Sequence, residues 1–162
     1  MSSIRQREIE GLIRRVRKEE VILQTFLRNH DESLKLANNT FKRQESNLWV
    51  IVISYFSMFY LANAYIYSKG YKIGHISTHK ITLEVLEELS KKELSQDILK
   101  EYSLAIDEAQ EISNNLSLNL KQEKNKRTIF QYETTEKIKQ KKAKTSLDRA
   151  KFFSEKIINL IK

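Results

Sequence analysis

LWVIVISYFSMFYLANAYIY, from Leu48 to Tyr67, is a run of twenty residues without a charge, in a chain of which 31% is Asp, Glu, Lys or Arg. The run holds the only Trp, four of the seven Tyr and two of the seven Phe. Two kinds of protein own such a run: one uses it to cross a membrane, the other as the central helix of a bundle. About twenty apolar residues do span a bilayer. Trp49 at one end, Tyr65 and Tyr67 at the other, and Arg43 and Lys69 outside imitate interfacial anchors. The middle argues otherwise. Ser54, Tyr55, Ser57, Tyr60 and Asn63 would need partners at mid-depth, and no second span supplies them. A helix apolar on all sides is equally what a bundle centre requires. The bundle reading is preferred, and no membrane partner is expected.

The flanks read as helix too. Before the run, Ile9, Leu12, Ile13, Val16, Leu23, Phe26, Leu27, His30, Leu34, Ala37 and Phe41 recur mostly three, four and seven apart. They predict one long helix, or two nearly collinear ones, over 3–43, with Asn29-His30 as a candidate break before Asp31. The run itself predicts a helix over 45–68, closed by Gly70 as a C-cap. Residues 69–75 read as a loop. Ser77 or Thr78 is placed to cap a third helix over 79–89. A fourth is predicted over 97–122, with 122–127 as a turn. A last one is predicted over 134–161, with Ile138, Ala143, Leu147, Ala150, Phe153, Ile157 and Leu160 on one face. No strand pattern competes. The expected fold is all-α, an up-and-down bundle of four to five long helices.

Composition agrees. The 162 residues suit one domain with a sizeable core, and zero Pro and three Gly leave little punctuation. Zero Cys excludes disulfides, thiol catalysis and Cys-based zinc sites. The opening MSSIRQREIE lacks the apolar centre of a signal peptide. A cytoplasmic location is therefore expected.

Net charge is +8, and residues 121–151 carry eleven basic side chains against four acidic ones, a net of +7. Such a stripe suits a polyanion, or else is only a solvated helix face.

The stretch Ser54-Tyr-Phe-Ser-Met-Phe-Tyr-Leu-Ala-Asn-Ala-Tyr-Ile-Tyr-Ser-Lys-Gly-Tyr71 resembles the second helix of the HEPN family, small prokaryotic helical proteins. There, a short basic loop and a His-containing helix start follow, here Ser77-Thr-His79-Lys80. The chain's end, Arg127-Thr-Ile-Phe-Gln-Tyr132 and then Lys144 to Leu160 with Ala150-Lys-Phe-Phe153, is similar to the family's ending. The resemblance covers 31–162, a HEPN-like bundle domain, and leaves 1–30 as an N-terminal helical extension. It implies a soluble, often dimeric bundle. It also implies a role in toxin–antitoxin or defence modules, frequently as a metal-independent endoribonuclease paired with a nucleotidyltransferase-like protein. A homodimer, RNA or a nucleotide, and such a protein are the partners implied. No cofactor is implied.

The family's active site is an Arg followed four to six residues later by His. His moves the proton of a ribose 2′-hydroxyl, and Arg holds phosphate. No Arg here has a His at that spacing. Arg127 matches the Arg, and Tyr132 stands where the His belongs. A phenol, with a pKa of about 10, is a poor base at neutral pH. Whether the chain is an enzyme is left open for that reason. If it cuts RNA, Arg127 and Tyr132 are the catalytic candidates, and Lys124, Lys126, Arg127 and Lys137 the RNA contacts. If not, it is a degenerate binding module for nucleotide, RNA or a nucleotidyltransferase, or a structural helical dimer. His75 and His79 are spaced i, i+4, but two ligands make no zinc site, so no metal is expected. His30 and His79 each have a plain structural reading. Tyr55, Phe56, Phe59 and Tyr60 read mainly as core, with a stacking platform for bases as the alternative. The basic stretch Arg14-Arg-Val-Arg-Lys18 is either a nucleic-acid contact or a solvated helix face.

Overall fold

A computed structural model describes residues 3–121 and 136–161, with side chains for 3–114 and 139–161. Six helices and one two-stranded ribbon make up the described residues: α1 (Ile4–Ile9), β1 (Ile13–Arg15), α2 (Glu20–Lys42), α3 (Asn47–Ser68), β2 (Tyr71–Ile73), α4 (Thr78–Leu89), α5 (Gln96–Lys121) and α6 (Glu136–Ile158). The protein is mostly helical, as expected for an all-α fold.

The charge-free run becomes α3 and lies at the centre, packed by α2, α4, α5 and α6. Ser46 starts it by accepting the Trp49 N–H on its side-chain oxygen at 3.2 Å. Gly70 ends it at a φ of +92°, a left-handed conformation that glycine adopts without a Cβ penalty. Among the described residues α3 alone is long and apolar enough to cross a membrane, and 67% of its most apolar window is buried within the protein. Several of its polar side chains find protein partners, while Ser54 Oγ is buried without a hydrogen bond among the described residues. Ser57 Oγ donates to Ser54 O at 2.7 Å, and Asn63 Nδ2 to Phe59 O at 2.9 Å. Tyr55 bonds to His79. Tyr67 Oη accepts the Glu19 N–H at 3.0 Å. This is how a core helix keeps polar groups satisfied.

Around α3 the main core gathers Tyr55, Met58, Leu61 and Tyr65 with Val85 and Leu86 of α4, Leu99 and Tyr102 of α5, and Phe153 and Ile157 of α6. A smaller cluster joins Ala37, Val50, Ile51, Ile112, Ala143 and Leu147. The face predicted for the last helix is thus the buried one from Ala143 to Ile157. Thr134 lies outside the described residues, and the Ile138 side chain is not described.

The N-terminal part departs from expectation. In place of one helix over 3–43, the chain makes α1, turns at Gly11 and Leu12, runs as β1 and enters α2 only at Glu20. β1 pairs antiparallel with β2, Ile13 opposite Ile73 and Arg15 opposite Tyr71, so the segment read as a loop holds a strand. The ribbon is extended by Val16 N–H to Gly70 O at 2.9 Å and Gly74 N–H to Leu12 O at 2.8 Å. At Gly74 a Cβ would stand 3.0 Å from Leu12 O, so any other residue would push the two backbones apart by a few tenths of an ångström. Arg15 is spent locally, on Glu8 at 2.8 Å and over the Tyr71 ring. α2 continues through Asn29, His30 and Asp31 without a break.

His30 explains that continuity. It is 1% exposed and bridges three helices. Its Nδ1–H donates to Ser57 O of α3 at 2.8 Å, and Nε2 accepts from Ser154 Oγ of α6 at 2.9 Å. Burial lowers its pKa from 6.5, outweighing the upward pull of the Ser57 bond and of Asp31. The folded protein therefore resists a proton that the unfolded chain accepts. Its contribution to stability is full above pH 6.5 and is lost as pH falls through the lowered folded value. Acid titration of unfolding free energy should show this loss, and His30→Gln should flatten part of it. An unchanged acid slope in that variant would remove His30 as the source.

Candidate functional site

Three elements converge on one cleft. α3 contributes Trp49, Val52, Tyr55 and Phe56. The first turn of α4 contributes His79, and α5 contributes Ile106, Ala109, Gln110, Ile112 and Ser113. The spacing explains the convergence. Positions 49, 52 and 56 share one side of α3, and 106, 109, 110 and 113 share one side of α5. The cleft has a volume of about 310 Å³. No charged side chain lines it among the described residues.

At its inner end the hydroxyl of Tyr55, 4% exposed, is hydrogen-bonded to Nδ1 of His79. With the phenol as the donor, Nδ1 supplies the lone pair and the neutral ring carries its proton on Nε2. Burial lowers the His79 pKa from 6.5, which keeps the ring neutral at pH 7. Burial also raises the Tyr55 pKa, so this phenol is a donor and not a base. Phe59 packs on the imidazole at 4.7 Å between ring centroids. Behind Tyr55 stands Tyr102, fully buried, stacked at 6.3 Å and 18°. The Tyr102 hydroxyl approaches that of Tyr55 without a well-formed hydrogen bond, and burial raises its pKa as well.

His79 enters helically at the second position of α4. Ser77, expected as a candidate cap, occupies the cap position at a φ of +49° and makes no side-chain capping bond. Thr78 Oγ1 turns back to Gly74 O at 3.1 Å instead.

Lys124, Lys126, Arg127 and Tyr132 lie outside the described residues. Lys137 belongs to the first turn of α6, and its side chain is not described. His75 precedes α4 and does not share its face with His79. The aromatic quartet divides by exposure. Tyr55 is core, while Phe56 is 38% exposed at the cleft rim. The pairing of Tyr55 with His79 was not legible, because no periodicity links residues 24 apart across a ribbon strand and a turn. Comparison with protein-family models, with curated proteins and with solved structures finds no match.

Proposed function

We propose that the chain is a HEPN-like helical protein of the cytoplasm that binds RNA within a toxin–antitoxin or defence module, working as a homodimer. One observation carries the RNA reading. The exposed side of α6 presents Lys141, Lys142, Lys144, Lys151 and Lys156, against Asp148 and Glu155. A lysine-rich helix face attracts phosphates and releases counterions on binding. The order of motifs around α3, Gly70 and the His79 helix start supports the family reading. In this reading Lys124, Lys126 and Lys137 extend the phosphate track, Arg127 holds the scissile phosphate and Tyr132 stands beside it. A nucleotidyltransferase-like protein is the natural partner.

Incubation of the pure protein with end-labelled RNA, with and without a chelator, tests it. Cleavage that survives chelation and disappears in Arg127→Ala supports the nuclease form. Cleavage retained in Arg127→Ala refutes that assignment. A second reading is favoured by Tyr132 at the expected His position, a degenerate site that binds without cutting. It predicts no product but salt-sensitive affinity, with a log–log slope of about 0.7 per phosphate contacted. No affinity at physiological salt would overturn both.

A further inference from the structure

We propose that the cleft beneath Trp49 takes a nucleobase, stacked on Trp49 or Phe56 and held at its edge by His79 and Gln110. The source of that base as a strand of RNA rests on the RNA-binding reading above. The chemistry of the cleft does not.

Four features point to this ligand class. The first is charge: the described lining carries none, so the group that enters is itself uncharged and a phosphate stays outside. The second is the exposed aromatics. α3 is otherwise the most buried helix, yet Trp49 is 52% exposed and Phe56 38% exposed, seven residues apart on its one open side. Flat rings left facing water along one line offer faces for stacking. The third is the polar complement. Tyr55 occupies Nδ1 of His79, and Nε2 has no hydrogen bond among the described residues. With Tyr55 as the donor, Nε2 presents an N–H on the cleft wall. Gln110 gives its Nε2 to Asn114 Oδ1 at 3.0 Å, which leaves its carbonyl oxygen as an acceptor. A donor and an acceptor beside apolar faces match the edge and face of a heterocyclic base, whereas an acyl chain would leave both unused. The fourth is size. At about 310 Å³ the cleft lies at the low end of ligand cavities, about 300–1,000 Å³, which suits one base.

The single Trp of the chain is therefore the probe. Trp49 fluorescence of the full chain is titrated with adenosine monophosphate, single-stranded oligoadenylate, ribose 5-phosphate and N-acetyltyrosinamide, and RNA binding is followed separately by anisotropy of a labelled oligonucleotide. The expected result is saturable quenching by adenosine monophosphate or the oligonucleotide, and none by ribose 5-phosphate. Tighter binding of the oligonucleotide identifies an RNA strand as the source, and tighter binding of the monophosphate a free nucleotide. Phe56→Ala should weaken the quenching affinity about tenfold. Gln110→Ala should weaken it severalfold. Both positions are exposed, so the folded state of each variant is checked by its melting curve. Quenching with no anisotropy change would refute the RNA reading and keep the cleft assignment. An anisotropy change without quenching would overturn the cleft assignment and keep the RNA reading. Absence of quenching by every base, equal quenching by N-acetyltyrosinamide, or unchanged affinity in folded Phe56→Ala would each overturn the proposal.

Discussion

Arg7→Ala is expected to lower unfolding free energy by about 3 kcal/mol. The six-residue α1 cannot sustain itself, since so short a helix lacks the length to repay nucleation. It is held from outside. The Arg7 side chain is 1% exposed and forks onto two carboxylates of α4, Nη1 to Glu88 at 2.8 Å and Nη2 to Glu84 at 3.2 Å. Glu88 also accepts the Ile4 N–H at 3.2 Å. Truncation leaves two like charges one helical turn apart, with no counter-charge between them, and opens a hole beneath α1. The carboxylates remain 27% and 30% exposed, so water softens the loss, and the lower end of the range for a broken buried pair applies. Arg7→Lys should recover about half, because one ammonium cannot serve two carboxylates in a fork. Urea unfolding measures both. A loss under about 1 kcal/mol for Arg7→Ala would mean that the pair adds nothing beyond an exposed one.

Phe153→Ala should cost about 4 kcal/mol. Phe153 is wholly buried and stacks on Tyr102 at 5.2 Å and 20°. Tyr102 in turn stacks on Tyr55. Three rings from α6, α5 and α3 thus form one column, and loss of the bottom ring leaves a cavity beneath Tyr102. Phe153→Leu keeps most of the volume and should cost under about 1.5 kcal/mol. Equal losses from the two substitutions would show that ring stacking, not volume, holds the column, and a small loss from both would show that the core closes over the gap.

How far the sequence could be read depended on whether each signal was local. α3 is announced by its own residues, an unbroken apolar run capped by Ser46 and Gly70. Positions 143, 147, 150, 153 and 157 of α6 recur at helical spacing, and all are buried. The error lies over 9–16, where Ile9, Leu12, Ile13 and Val16 satisfy a helical pattern. Yet Ile9 is 72% exposed, and Ile13 sits in a strand. What decides there is a pairing with residues 71–73, about sixty positions away, together with the bare Cα of Gly74, and no local window contains either. The candidate site divides the same way. The aromatics of the cleft were visible as residue types, and their alternative as a stacking surface was open. The hydrogen bond that orients His79 joins two elements with no shared period.

The clamp of α1 onto α4 also sets a schedule. Arg7 precedes Glu84 by 77 positions and Glu88 by 81, and β1 must wait for β2 to form. At a synthesis rate of about 5–20 residues per second, this leaves a guanidinium and a strand edge without their partners for several seconds on the ribosome. Residues 3–15 therefore settle only after residues 71–88 have been made.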